Sequence, residues 1–222
     1  MQLTASLRLA GAYKLQKGKS LAQQAKARQA AKERAQAERE RDEQLVTRVQ
    51  AGEWSAFDVL VNLYERALYN FVLSRHIDAE TAVDITQESF IKAFKAIEGY
   101  DSGRASFKTW LYTIAYNLIR DKARRASVRA RELEKAKRDL DQATRQHVDS
   151  PERNYLNRDY TDRLVGLLDE ETRAIVAMKF YLDLTYDDIA QITGLNTPSV
   201  RCKLHRALKK MRALAPSEEV CA

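Results

Sequence analysis

The chain of 222 residues contains 38 Lys and Arg residues against 31 Asp and Glu residues, a net charge of +7, and only 7 glycines and 3 prolines interrupt it. The scarcity of helix breakers, with abundant Ala, Leu, Arg, Gln and Glu, predicts an all-α fold. No apolar run reaches the roughly 20 residues of a membrane span, and the N-terminus lacks the apolar core of a secretory signal, so we expect no membrane insertion and a cytoplasmic location. The two cysteines, Cys202 and Cys221, supply neither a disulfide framework nor metal-ligand spacing, so no metal or cofactor is expected.

Residues 1–42 form a basic extension rich in Ala, Gln, Lys and Arg. Helix propensity is high from Leu21 onward, but there is no apolar stripe, so we expect a helical or disordered segment exposed to solvent. Three interpretations stay open: a solvated tail, an arm that binds nucleic acid or a partner protein, and a segment that precedes the true start of translation.

Residues 43–126 are predicted to fold as a helical domain. A short helix ends at Gly52, a longer helix follows, and Asp78 caps a third helix that runs to about residue 97. Residues 98–106, EGYDSGRAS, form the clearest loop in this half of the chain. Ser106 can then cap a fourth helix over residues 107–125.

Two polar surfaces remain in this domain once its apolar residues are assigned to a core. One is a side of the third helix, formed by Asp84, Gln87, Glu88 and Lys92. The other is the largely cationic end of the fourth helix, which we expect to pack beside the loop. Such a pair can hold a nucleic-acid strand, but cations at a helix C-terminus also complement its dipole, so the residues alone leave both interpretations open.

Residues 127–158 are charged and nearly free of large apolar side chains, which predicts a linker between two domains. The apolar pattern resumes over residues 159–214, a second helical domain, and residues 215–222 form a tail. Two helices over residues 159–183 are expected to support the residues that follow.

Residues 185–214, TYDDIAQITGLNTPSVRCKLHRALKKMRAL, predict a helix-turn-helix. Thr185 and Asp188 have the spacing of a capping box at the start of the first helix. Gly194 stands where a left-handed residue would end that helix. Thr197 is expected to cap the second helix, with Pro198 at its first position.

The second helix is apolar on one side and cationic on the other. From residue 197 to 214 it has six Lys or Arg residues and no Asp or Glu. This pattern favours binding in the major groove of DNA, where phosphate contacts dominate affinity, over a merely solvated face. Cys202 and His205 could form half a zinc site, but no second pair of ligands stands nearby in the sequence.

Two stretches, taken together, resemble one known family. Residues 84–125, DITQESFIKAFKAIEGYDSGRASFKTWLYTIAYNLIRDKARR, resemble region 2 of sigma-70-type initiation factors, and residues 167–211 resemble region 4. The run Phe-x-x-Trp-Leu-x-x-Ile-Ala-x-Asn at residues 107–117 is the most specific part. With a short linker between the two stretches, the chain is similar to the extracytoplasmic-function (ECF) group.

The resemblance implies a sigma factor that binds core RNA polymerase, recognises the −10 and −35 elements of promoter DNA and promotes melting and initiation. It implies a polymerase-binding surface at Asp84, Gln87, Glu88 and Lys92. It implies −10 contacts by Tyr100, Asp101, Ser102, Arg104, Ser106, Asn117, Arg120, Arg124 and Arg125. It implies −35 contacts by Ser199, Arg201, Cys202, Lys203, Arg206 and Lys209, and an anti-sigma factor as a further partner.

Other functions predict different features. An autonomous helix-turn-helix regulator would bind a palindromic site without polymerase, and its N-terminal bundle would serve dimerisation or sensing. An enzyme acting on nucleic acid would need clustered carboxylates or an activated nucleophile. The acidic clusters near the recognition helix stand where helix N-terminal acids belong, so no catalytic residues are expected.

Overall fold

A computed structural model describes residues 21–140 and 168–214, which form seven α-helices and no strand within those two ranges. The all-α prediction is confirmed. The expectations for residues 1–20, 141–167 and 215–222, including most of the linker, the helix before residue 168 and the tail, lie outside the described residues. The helices are α1 (Leu21–Gln50), α2 (Ser55–Leu73), α3 (Ala79–Ala96), α4 (Phe107–Leu140), α5 (Glu170–Phe180), α6 (Tyr186–Thr193) and α7 (Thr197–Leu214).

In these two ranges no helix combines the length and the apolar character that crossing a bilayer requires.

Helix α1 is longer than the short helix predicted before Gly52. It runs unbroken for 30 residues, so the described part of the basic extension and the first helix of the domain are one element. Strong helix formers occupy the extension, and the buried residues Leu45, Val46 and Val49 anchor its C-terminal end. Gly52 then adopts a φ of +93°, a left-handed conformation that glycine tolerates without strain, and the chain turns into α2.

The first domain packs α2, α3 and α4 around an apolar core. Tyr112, Phe71, Phe107 and Leu60 are among its largest fully buried side chains. Both predicted caps are present, because Asp78 accepts from the Thr81 amide at 2.8 Å and Ser106 accepts from the Thr109 amide at 3.1 Å. These caps satisfy donors that would otherwise be unpaired at the starts of α3 and α4.

The predicted end of the fourth helix at Arg125 is wrong, since α4 continues to Leu140. The added residues, ASVRARELEKAKRDL, include neither Gly nor Pro and are mostly good helix formers, so nothing in the local sequence stops the helix. The charged composition that suggested a linker therefore belongs to the C-terminal part of a helix over residues 127–140.

In the second domain the helix-turn-helix has the predicted geometry with one correction. The capping box joins Thr185 and Asp188, and Gly194 ends α6 at a φ of +73°. The cap of α7 is Asn196, whose Oδ1 accepts from the Ser199 amide at 2.8 Å. The predicted cap, Thr197, is already helical and donates its hydroxyl to Asp187 at 2.7 Å, so Pro198 stands one position later than expected.

The two domains contact each other, and the cluster of buried apolar residues runs through both. The polar contacts lie around the start of α4. The Thr109 hydroxyl donates to Asp188 at 2.9 Å, and Lys108 Nζ donates to the Leu182 carbonyl at 2.9 Å. Helix α6 therefore packs against the N-terminal part of α4, close to the loop that precedes it.

Candidate nucleic-acid interface

Helix α7 presents its cations on one open face. Val200, Leu204 and Ala207 are buried, whereas the opposite side of the helix faces solvent. At 100° per residue the predicted readers Ser199, Cys202, Arg206 and Lys209 fall within a sector of roughly 80°. Cys202, Arg206 and Lys209 are exposed and Ser199 is half-buried. The cationic face predicted from the sequence is thus free of covering protein within the described residues.

The two remaining predicted readers lie at the flanks of this face and have partners. Lys203 donates to Glu171 of α5 at 2.6 Å, and this hydrogen bond raises the pKa of Lys203. The Arg201 guanidinium lies 5.2 Å from the centre of the Tyr186 ring, within cation–π distance. Both side chains therefore hold α7 against its neighbours, and both would have to exchange these partners to reach DNA.

The loop of residues 100–106 is held by internal hydrogen bonds. The Tyr100 hydroxyl donates to the Ala105 carbonyl at 2.9 Å, and its ring centre lies 5.0 Å from that of Trp110. Burial raises the pKa of Tyr100 to about 12. Asp101 accepts from the Gly103 amide at 2.9 Å, while Arg104 projects into solvent with 85% of its side chain exposed. Arg104 is therefore an accessible cation in this loop, whereas the Ser106 hydroxyl is occupied as a helix cap.

The expectation that this loop packs beside the basic end of α4 is wrong. Arg120 follows Phe107 by thirteen residues, which places it about 20 Å further along the helix axis. The loop lies at the N-terminal end of α4, so the two predicted −10 surfaces are separated. Asn117, Arg120 and Arg124 share an exposed face with half-buried Trp110, whereas Arg125 is turned by about 100° from Arg124. The four residues on this face form a track that begins at the loop, with Trp110 in contact with Tyr100.

A cavity of about 210 Å³ lies between this loop and α1. The loop contributes Tyr100, Asp101 and Ser102, and α1 contributes Glu43, Val46, Thr47 and Gln50. Gln50 donates to the carbonyls of Ile97 (2.9 Å) and Tyr100 (3.2 Å), and Ser102 donates to Glu43 at 2.6 Å. The α1 side of this site could not be predicted from the sequence, because the partners are about fifty residues apart and no periodicity links them.

The predicted polymerase-facing residues line an exposed side of α3. Glu88 pairs with Lys92 at 3.3 Å, and Asp84 lies 4.0 Å from Lys122 of α4. Three large apolar side chains of α3, Val83, Ile91 and Phe94, are exposed on the same side of the helix as these charges. Trp54, just before α2, is exposed as well and lies 5.4 Å from Phe94 between ring centres. Exposed apolar side chains that cluster among charges are typical of a protein-binding surface.

Among the described residues no group of three or more His, Cys, Asp or Glu side chains is arranged to hold a metal ion. Cys202 is exposed and has a free thiol.

Two segments of the chain match known families. Residues 60–129 match Sigma-70 region 2 and residues 158–211 match Sigma-70, region 4. The chain is 31% identical over 185 residues to the RNA polymerase sigma-H factor of Pseudomonas aeruginosa, covering 80% of this chain and 95% of that protein. It is 33% identical over 180 residues to the ECF RNA polymerase sigma-E factor of Haemophilus influenzae, covering 77% and 93%. The chain belongs to the sigma-70 family of RNA polymerase sigma factors. Its relatives place it in the ECF group, which confirms the resemblance found in the sequence.

Solved structures share the fold of this sigma factor. CnrH, in complex with the cytosolic domain of CnrY, is 25% identical with a TM-score of 0.57, covering 78% of this chain and 96% of that chain. The sigma factor RpoE of Bartonella quintana, in complex with the anti-sigma factor NepR, is 23% identical with a TM-score of 0.55, covering 71% and 95%. The match to region 2 contains the 100–106 loop and the predicted −10 residues of α4, and the match to region 4 contains the predicted −35 residues of α7.

Proposed function

We propose that this sigma factor reads the −35 duplex with α7 and captures the melted −10 strand with the 100–106 loop and the exposed face of α4. The open cationic face of α7 is the main support for this proposal, because Arg206 and Lys209 have no carboxylate partner there among the described residues. A helix of this kind fits the major groove, where Arg and Lys contact phosphates and base edges. The proposed −35 readers are Ser199, Arg201, Cys202, Lys203, Arg206 and Lys209.

The cavity beside the loop supports single-strand capture at the −10 element. It is lined by both carbonyl and side-chain polar groups, and Trp110 and Tyr100 lie next to it with partly exposed rings. Aromatic side chains and cations together hold unstacked nucleotides in a sequence-tolerant way, while a polar cavity adds base selectivity. The proposed −10 contacts are Tyr100, Asp101, Ser102, Arg104, Ser106, Asn117, Arg120, Arg124 and Arg125.

The face of α3 is the proposed docking surface for core polymerase. Asp84, Gln87, Glu88 and Lys92 supply polar contacts, and Ile91, 52% exposed, is an apolar centre among them. A buried apolar core with a polar rim is the usual arrangement of a protein interface. We also propose the division into domains at residues 43–126 and 159–214, because each of these ranges has its own proposed DNA-binding surface, although α4 itself runs past residue 126.

The factor has no catalytic role in this proposal, since polymerase performs the chemistry and the sigma factor selects and opens the promoter. It acts in the cytoplasm, where polymerase is found. The complex of RpoE with NepR supports an anti-sigma factor as a further partner of this chain.

Run-off transcription from genomic fragments with purified core polymerase tests the proposal. We expect discrete start sites that depend on this chain, and their mapping gives the promoter elements. An autonomous regulator would instead shift a palindromic DNA fragment in a gel without polymerase. Absence of any sigma-dependent start site, together with such a shift, would contradict the sigma assignment.

The docking surface is tested by a matched pair of substitutions. Ile91→Glu on α3 and Val128→Glu on α4 both add one charge at an exposed aliphatic residue (52% and 46% exposed), so both proteins should fold. We expect at least tenfold weaker binding to core polymerase for Ile91→Glu and little change for Val128→Glu, measured by fluorescence anisotropy. Equal affinities would refute the assignment of α3.

A further inference from the structure

The part of α1 that precedes the first domain, residues 21–41, is called the basic arm here. The basic arm has six Lys or Arg residues and three Glu residues, a net charge of +3. Residues 29–40 are all exposed, although they belong to a continuous helix. This part of α1 contributes no side chain to a core, so its charged side chains are accessible to a partner.

The cations of the basic arm are not neutralised by its own acids. Glu33 and Glu40 accept from Gln29 and Gln36 at 2.9 and 2.8 Å, and Glu38 lies 3.7 Å from Lys108 of α4. The described residues pair no carboxylate with Lys26, Lys32, Arg34 or Arg39. The basic arm therefore presents unpaired positive charge.

Part of this charge lies on the side of α1 that faces the 100–106 loop. Glu43 accepts a hydrogen bond from Ser102 in this loop, and Gln50 donates to the carbonyls of Tyr100 in the loop and of Ile97 just before it. Lys32 and Arg39 precede Glu43 by eleven and four residues, so at 100° per residue all four lie within about 40° around the helix axis. Arg39 and Lys32 stand about 6 and 16 Å further along the axis from Glu43.

The other two cations, Lys26 and Arg34, lie on the other side of the helix. Lys26 and Arg34 are turned by about 120° and 160° from Lys32, so they point away from the loop. The same helix thus contains two pairs of exposed cations that differ in direction and not in charge.

We propose that Lys32 and Arg39 bind the phosphates of promoter DNA that borders the −10 element, which adds a DNA contact outside regions 2 and 4. The inference rests on the proposed −10 role of the loop. The contact is independent of base sequence, because it is made to the backbone, and it strengthens promoter binding by release of counterions from DNA. Each phosphate neutralised contributes about 0.9 to the salt slope of log K, so the pair contributes about 2.

The test compares two double variants in holoenzyme on a promoter mapped as described above. Lys32→Gln/Arg39→Gln removes the loop-side pair and Lys26→Gln/Arg34→Gln removes the control pair, and Gln maintains helix propensity. Promoter binding is measured by anisotropy between 50 and 200 mM KCl. We expect the salt slope to fall by about 2 for the loop-side pair, with about tenfold weaker binding near 100 mM, and to stay within one unit for the control pair.

Three outcomes would overturn the proposal: equal slopes for both variants and the wild type, equal losses in both variants, or a loss for the loop-side pair that appears in binding to core polymerase without DNA. The last outcome would identify polymerase as the partner. If the wild-type holoenzyme forms no promoter complex, the proposed function fails, which is a different result from unchanged slopes in a working complex.

A crosslinking experiment locates the contact. Benzoylphenylalanine is placed at Ala35 or at Ala37, exposed alanines on opposite sides of the basic arm. We expect crosslinks from position 35 to DNA next to the −10 element and few from position 37. Crosslinks of equal yield from both positions, or none from position 35, would contradict the proposed orientation.

Discussion

Substitution of Arg75 by methionine tests how the two domains hold together. Arg75 lies in the contact between α2 and α5, with only 1% of its side chain exposed. Its Nη2 donates to Glu170 at 3.2 Å, whereas Nε and Nη1 have no hydrogen-bond partner in the described structure. Burial lowers the pKa of Arg75, and the attraction of Glu170 only partly opposes this. The guanidinium is therefore held in an unfavourable environment.

The expected effect follows from these contacts. Each buried donor without a partner costs about 1–3 kcal/mol, while one hydrogen bond to a charged group contributes about 1.5–3 kcal/mol. Arg75→Met loses one such bond, relieves two unpaired donors and retains the length of the side chain. We expect the free energy of unfolding to rise by about 1–2 kcal/mol. The Glu170 side chain is 52% exposed, so Glu170→Gln should change the free energy of unfolding by less than about 1 kcal/mol.

Urea unfolding of the full chain, followed by circular dichroism, measures both effects. Arg66→Met is the control, since Arg66 is exposed on α2, the helix that ends two residues before Arg75, and the free energy of unfolding should stay within about 0.5 kcal/mol. The double variant of Arg75 and Glu170 gives the coupling between the two side chains. A loss of about 3–5 kcal/mol in Arg75→Met with an unchanged m-value would refute the reasoning, because such losses accompany the breaking of a favourable buried ion pair.

Three further predictions concern the second domain. Gly194→Ala should lower the free energy of unfolding by about 1–2 kcal/mol. The cause is the φ of +73° and not crowding, since a new Cβ would meet no atom within 4 Å. Gly194→Asn should lower the free energy of unfolding by less, and urea unfolding measures both. Arg206→Ala should weaken binding to a mapped −35 duplex more than Lys203→Ala, since Lys203 already has a carboxylate partner, and anisotropy titrations giving the reverse order would contradict the assigned face. Burial raises the pKa of Asp169, but hydrogen bonds from Thr172 outweigh burial, so the pKa of Asp169 in the folded protein is lowered. The stability that the Asp169 cap contributes is therefore present above the unfolded pKa near 4 and is lost as the pH falls through the folded pKa. Asp169→Asn should remove that part of the acid sensitivity below pH 4, as unfolding midpoints at several pH values can measure.

Features set by neighbouring residues could be predicted from the sequence. The caps at Asp78, Ser106 and Thr185 and the left-handed Gly194 each depend on three or four consecutive residues, and all are present. The cationic face of α7 follows from helical periodicity alone. The choice of Thr197 as a cap was wrong, because Asn196 offers a competing acceptor one residue earlier and the local pattern does not rank the two.

Features set by distant residues could not be predicted. The cavity depends on Gln50 reaching carbonyls at Ile97 and Tyr100, a contact that no spacing reveals. The exposure of Ile91 and Phe94 could not be predicted, since a sequence gives hydrophobicity but not which side of a bundle stays uncovered. The continuation of α4 to Leu140 could not be distinguished from a linker, because a charged composition is common to both.

The contact between the domains combines forces that oppose each other. The apolar core continues from one domain into the other, which favours their contact, and the hydrogen bond from Thr109 to Asp188 reinforces it. The two unpaired donors of Arg75 oppose this contact by about 2 kcal/mol or more. The Gln191 side chain of α6 also donates to the Arg104 carbonyl at 3.2 Å, so the helix-turn-helix contacts the 100–106 loop directly. Because a change of about 1.4 kcal/mol shifts an equilibrium tenfold, replacement of a single buried charge such as Arg75 is enough to change markedly how firmly the two domains stay in contact.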